Sequence, residues 1–347
     1  MSAGEVAAPG AQRARAHSVA EAVVRFRELG IVLALVIVIG ATALDNHLFL
    51  SATSLQQLLS GASIVALLAI GETLVIVTRN VDLSIGSILG LTAYMTGDIF
   101  VHYPHAPIGL VILAGAGVGL ICGAVNGAIV TLFRVPSLVV TLGTLYVIRG
   151  IDASWAGGNQ VGAFSLPDSF NSLGYGKVLG VPYLGIVTII CVGVATYAMR
   201  TFRPGRDLYA IGSNPEAAHL AGIPVQRRVF AAFALSGLIA GFAGVLWLSL
   251  YGSVDSTAGT GYEFEVIAAV VVGGVAIFGG SGSVLGAALG ALLLNTIANS
   301  LVVINVSSYW DQAFQGALLI PAIAFDRLIS LRLAPALRTR RSARAAG

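Results

Sequence analysis

Apolar stretches recur along the whole chain, separated by short polar breaks. In order they are Gly30–Leu44, Ala62–Thr78, Ser84–Val101, Ile108–Phe133, Ser137–Gly150, Val181–Met199, Val229–Leu250, Phe264–Phe278, Ser283–Ile304 and Gln312–Leu328. A helix crosses a bilayer with about 17–25 such residues. The pattern predicts an all-α polytopic membrane protein of about 10 transmembrane helices. Ser137–Gly150 is short for a straight span, which points to a broken or partly buried helix. Ser51–Ser60, with Gln56 and Gln57, is too polar and too short to span, and is expected to be interfacial or re-entrant.

Composition agrees with that reading. The 347 residues are 56% hydrophobic and 10% charged, against about 25% charged in a soluble domain. The positions of the charges say more than their formal sum of +3. Of 19 basic residues, 15 fall in three segments: Arg13, Arg15, Arg25 and Arg27; Arg200, Arg203, Arg206, Arg227 and Arg228; and Arg327, Arg332, Arg338, Arg340, Arg341 and Arg344. The positive-inside rule assigns all three to the cytoplasm. Ten crossings that start inside return the C-terminus inside, and Arg79 and Arg134 also fall at inner ends. The chain therefore divides into a basic N-terminal segment 1–29, a transmembrane domain 30–330 with a cytoplasmic loop 200–228, and a basic tail 331–347. The arginines that flank the 200–228 loop would anchor it to anionic lipid headgroups, and no nucleic-acid partner is expected. Arg25, Arg27, the run Ile31–Gly40 and Ala41-Thr42-Ala43 imitate a secretory signal; an uncleaved first helix is the expectation. Cys122 and Cys191 lie within apolar runs and read as packing residues rather than a disulfide.

The polar loop has internal order. Asn214 suits an N-cap, Pro215 the first helical position, and Glu216 the positive helix end. Ala217 and Ala218 continue the helix, and Gly222 and Pro224 stop it. A helix this short is marginal alone, so a soluble partner is expected to pack against it.

Glycine spacing describes helix packing. Gly115, Gly119, Gly123 and Gly127 recur every four residues, as do Gly282, Gly286 and Gly290, and each series offers a smooth face to a neighbour. Gly71–Gly90 and Gly273–Gly290 share a loose pattern of apolar helix, polar break and glycine-rich helix.

Polar groups inside spans are the candidates for gating or a solute pathway. Glu72 lies in an apolar run, where an ionised carboxylate is costly; it would be protonated, paired with Arg79, or facing a polar cavity. Asp82 and Ser84 stand where either caps the following helix. Asn126, Asn295 and Asn299 are expected to bond between helices or to touch solute. Trp155, Phe170, Tyr175 and Tyr262 are expected at the outer interface. His102 and His105 have no companion at metal-ligand spacing, so no metal site is expected. Lys177 lacks the phosphate-loop context, and neither His-Glu-x-x-His nor Gly-x-Ser-x-Gly occurs. The chain is expected to hold no catalytic site and no cofactor of its own.

Three strings together resemble the permease subunits of bacterial ABC importers for monosaccharides, within the ribose/branched-chain amino acid permease superfamily. They are the Val81–Ser87 core within Gly71–Ser87, the loop Leu208–Ala218, and Ala268–Gly274 through Gly279–Ser283. The resemblance implies a bacterial inner-membrane transport subunit, not an enzyme. It implies an ABC ATPase subunit that carries the ATP-Mg, a periplasmic sugar-binding protein, and a second permease, identical or not. Carried over by position, Asn214–Gly222 becomes the coupling helix, with Glu216 an ionic contact to the ATPase. The loops Ile151–Gly180 and Tyr251–Glu265 would receive the binding protein. Many sugar permeases of this family have glycines where this chain has Thr78-Arg79-Asn80. That variant resembles the branch for rhamnose or the autoinducer-2 furanose, with rhamnose the expectation. An ion- or proton-coupled secondary transporter is the alternative, with Glu72, Asp82 and Asp98 as coupling groups. Within the superfamily, branched-chain amino acids and nucleosides are alternative solutes.

Overall fold

The computed structural model describes residues 28–307 together with 310, 312–317, 320, 321 and 324. The N-terminal basic segment, the C-terminal tail and much of the predicted span Gln312–Leu328 lie outside the described residues.

The chain folds as helices joined by short turns. Helix α1 is Glu28–Asp45. It is followed by α2 (Ala52–Ile76), α3 (Ile85–His102), α4 (Ile108–Leu132), α5 (Ser137–Ala156) and α6 (Asp168–Tyr175). Strands β1 (Lys177–Val178) and β2 (Val181–Pro182) form a small hairpin before α7 (Tyr183–Thr201). Then come α8 (Arg203–Ser213), α9 (Pro215–Leu220), α10 (Val225–Tyr251), α11 (Tyr262–Val272) and α12 (Val284–Val303). Among the described residues, seven helices are long and apolar enough to cross a bilayer: α1, α2, α4, α5, α7, α10 and α12.

Helices α2, α3 and α10 form the interior. Every residue of α2 from Ala62 to Ile76 is buried, as is α3 from Ile85 to Gly97. Threonine hydroxyls here are satisfied within the helix: those of Thr73, Thr92 and Thr96 donate to carbonyls four residues earlier. That removes the penalty of placing them where no water reaches.

The glycine series on α4 meets α10 in antiparallel contact. A Cβ on Gly119 would strike the Gly237 carbonyl, one on Gly123 the Phe233 carbonyl, and one on Gly127 would lie 3.0 Å from the Phe230 carbonyl. Gly237 and Gly241 complete the seam from the α10 side. By contrast, Gly117 on the same helix has open space around it. Gly286 and Gly290 likewise face Gly273 and the Ala269 carbonyl on α11. Gly282 does not belong to that helical series: it precedes α12, with φ +136°, and packs on Val275.

Four sequence expectations need correction. Residues 51–60 are not a separate interfacial segment, because Ser51 caps one continuous 25-residue helix that carries Gln56 and Gln57 at its end. Ser137–Gly150 is not broken but belongs to one helix that runs on to Ala156, past the buried Asp152. Phe264–Phe278 does not cross as one helix: α11 ends at Val272, and the chain turns at Gly274 (φ +89°). Phe170 is not an interfacial aromatic but is fully buried, 4.8 Å between ring centroids from Phe100.

Candidate coupling and translocation site

The polar loop holds two helices, not one. α8 forms because Gly205, Leu208, Ile211 and Gly212 recur on one face and turn inward while the arginines stay outside. Asp207 on that buried face accepts from Arg228 Nε at 2.9 Å, pinning α8 to the first turn of α10. Tyr209 donates its hydroxyl to the Gly282 carbonyl at 3.1 Å. Burial pushes the Tyr209 phenol up, so it remains a donor throughout the physiological range.

At Asn214 the chain leaves the helical conformation (φ −158°, ψ 103°), and the side-chain Oδ1 accepts from Ala217 N at 3.0 Å. Pro215 occupies the first helical position of α9. Ala218 is buried and closes the end, its carbonyl accepting from Ile223 N, while Gly222 adopts φ +78°. The opposite side presents Glu216, Ala217, His219 and Leu220, the last 87% exposed.

Arg79 is not paired with Glu72. Its residue takes the left-handed conformation (φ 67°) after α2, and its guanidinium donates to the carbonyls of Gly212 and Ser213. These are orphan carbonyls at the end of α8, the kind of group that cationic side chains satisfy. The second break joins the same place. Gly280 N donates to the Val77 carbonyl at 2.9 Å, and a Cβ on Gly212 would collide with that carbonyl. The two breaks also share a turn: Asn80 N reaches the Val75 carbonyl and Val275 N the Val270 carbonyl, each closing the preceding helix in a 6→1 bond. Of the two loosely similar stretches, only Gly71–Gly90 opens on a helix, but each contains a break and the two breaks meet at α8. This contact also places Arg79 at the same end as the 200–228 loop.

Above this layer lies a fully buried polar chain. Glu72 Oε1 accepts from Asp82 N at 3.1 Å. Asp82 Oδ1 accepts from Ser84 N at 3.0 Å and from Ser84 Oγ at 2.6 Å, which orders the entry to α3. Asn126 Nδ2 donates to Ser84 Oγ at 2.7 Å, and Ser236 lies 3.5 Å from Asp82 Oδ2. Glu72 and Asp82 are thereby linked to α4 and α10, while Glu72 Oε2 and Asn126 Oδ1 have no partner among the described residues. The arrangement bonds four helices through short side chains around one break. Asn295 and Asn299 are far from it; they bond within α12 and line a cavity at the opposite end.

Sequence reasoning missed α8, Ser236, and a second buried group comprising Arg149, Asp152 and Glu263. Pro204 beside the apolar positions Leu208 and Ile211 signalled the helix. Among the described residues no group of His, Cys, Asp and Glu is arranged to hold a metal; His102 instead faces Asp98 on its own helix.

The family described as "Branched-chain amino acid transport system / permease component" matches residues 54–323. The chain is 35% identical to the autoinducer 2 import system permease protein LsrC of Escherichia coli (strain K12 / DH10B), over 92% of each chain. It is 35% identical to the protein of that name from Enterobacter sp. (strain 638), over 86% of each. The Salmonella paratyphi B protein of that name is also 35% identical, over 87% of this chain and 86% of its own. No solved structure matches. With its helical architecture and, among the described residues, seven helices apolar enough to cross a bilayer, the chain belongs to this family of transport permeases and is a multi-pass subunit of the inner membrane.

Proposed function

We propose that this chain forms part of the solute pathway of an ATP-driven importer, with α9 as the element that receives force from a separate ATPase. The carrying observation is the junction of α8 with both helix breaks through Arg79, Gly212 and Gly280. A push or rotation at α9 is transmitted through α8 to the turns that end α2 and α11. Those turns lead directly into α3 and α12, so movement at the inner face tilts helices of the interior as rigid bodies.

Glu216 and the exposed edge of α9 are the proposed contacts to the ATPase, which supplies ATP-Mg. The buried Glu72–Asp82–Ser84–Asn126 chain holds the break in one geometry and is the proposed gate. A binding protein on the outer side delivers the solute, and a second permease, whether identical or related, completes the pathway. The relatives' names move the solute reading from rhamnose towards autoinducer 2 or another small sugar-like furanose.

The test is uptake by membrane vesicles containing the permease, its ATPase and its binding protein, with labelled autoinducer 2, rhamnose, ribose and leucine. The reading expects uptake that requires ATP hydrolysis and survives a protonophore. Uptake that continues without the ATPase and collapses with the protonophore would instead establish secondary transport.

A further inference from the structure

The end of the molecule remote from α9 contains a cavity of about 420 Å³, within the range of small-molecule sites, about 300–1,000 Å³. Its walls carry several polar side chains, one of them the cationic Lys177. Gln56 and Gln57 enter from α2, Asn295 and Asn299 from α12, Lys177 from the β hairpin, and Tyr251 from the end of α10. Gln56 Nε2 donates to the Gly180 carbonyl at 3.1 Å, tying the hairpin to the rim.

The two asparagines do not bond across to another helix. Asn299 Nδ2 donates to the carbonyl and Oδ1 of Asn295 at 2.8 and 3.0 Å, all on α12. A Cβ on Gly61 would lie 3.1 Å from Asn295 Nδ2, so this glycine leaves space for the amide between α2 and α12. Asn295 and Asn299, half-buried and bonded only to each other, keep further donor and acceptor capacity for the cavity they line.

We infer that this cavity is an outer vestibule that receives a neutral, polyhydroxylated solute of monosaccharide size; the inference rests on the importer reading above. Amide oxygens and nitrogens supply both acceptors and donors to hydroxyl groups, and the tyrosine rings supply an apolar face. Among the described residues no carboxylate lines the cavity, and its one charged side chain is Lys177. The number of amide and hydroxyl donors and acceptors suits a solute that carries several hydroxyl groups. α2 connects this vestibule to the coupling layer: Gln56 and Gln57 stand near its first turn, and its last turn leads into Arg79. As 25 residues of continuous helix it spans about 37 Å. One rod thus carries solute contacts at one end and the α8 contact at the other.

The experiment uses the complete importer in proteoliposomes, with Cys122→Ser and Cys191→Ser as background and Gln57→Cys as reporter. A membrane-impermeant methanethiosulfonate is applied from the outer side, alone and with autoinducer 2, rhamnose, ribose or leucine. Labelling is expected to slow by about threefold or more with the sugar-like solute that the importer carries, and to be unaffected by leucine. In parallel, Asn299→Leu is expected to lower uptake about tenfold, the scale of one or two lost hydrogen bonds. If that variant is not recovered with its ATPase, Asn299→Ala takes its place. Labelling that the carried solute leaves unchanged overturns the vestibule, as does normal uptake by the Asn299 variant. Protection by leucine alone overturns the solute class. If the unmodified importer takes up none of these compounds with ATP, the importer reading fails and the vestibule falls with it.

Discussion

Arg79 Nη2 lies 2.7 Å from the Ser213 carbonyl, so the break after α2 holds the last turn of α8 immediately before Asn214 opens α9. The contact joins residues 134 positions apart in sequence. It explains how a six-residue helix, marginal by itself, is fixed to the membrane core.

Arg79→Gly removes the guanidinium while retaining a residue that tolerates the left-handed backbone at φ 67°. Uptake should fall about tenfold, consistent with the loss of two charged hydrogen bonds, with the ATPase still bound because α9 itself is untouched. Uptake at the unmodified rate, measured beside ATPase recovery, would show that Arg79 does not transmit the stroke.

Asn214→Ala removes the acceptor for Ala217 N. The cap should cost about 1 kcal/mol, enough to fray α9 and weaken ATPase binding several-fold. Asn214→Asp or Asn214→Ser, each of which retains a capping oxygen, should restore most of it. Titration of the detergent-solubilised permease with its ATPase distinguishes the three variants.

Gly119→Ala and Gly117→Ala place the same methyl group on two faces of α4. At Gly119 it collides with the Gly237 carbonyl, whereas at Gly117 it meets open space. The first should destabilise the protein by about 1–3 kcal/mol through overpacking, and the second should change it little. Thermal unfolding of the two purified variants gives the comparison.

Much of this fold was legible because membrane helices advertise themselves by length and apolarity. The α4 glycine spacing and the Asn214-Pro215-Glu216 start of α9 were readable for the same local reasons. What escaped was long-range. Gln56 and Gln57 looked too polar for a span, but they stand at the end of α2 beside a cavity. The apolar run stopped short of Asp152, yet α5 continues past it to Ala156. Arg79 and Glu72 share a sequence neighbourhood, but the turn at Arg79 sends the guanidinium to α8 and leaves Glu72 to the Asp82 amide. No local periodicity encodes that choice; it follows from the two breaks packing together.

Glu216→Arg tests whether α9 couples this permease to an ATPase. Glu216 is exposed, so reversing its charge disturbs the docking face without disturbing the core. Tagged wild-type and variant chains are purified from gently solubilised native membranes, and their companions are identified by mass spectrometry. An ATPase subunit should copurify with the wild type and be lost from an otherwise intact variant. An ATPase retained equally by both, with normal solute uptake, would contradict the coupling role of α9.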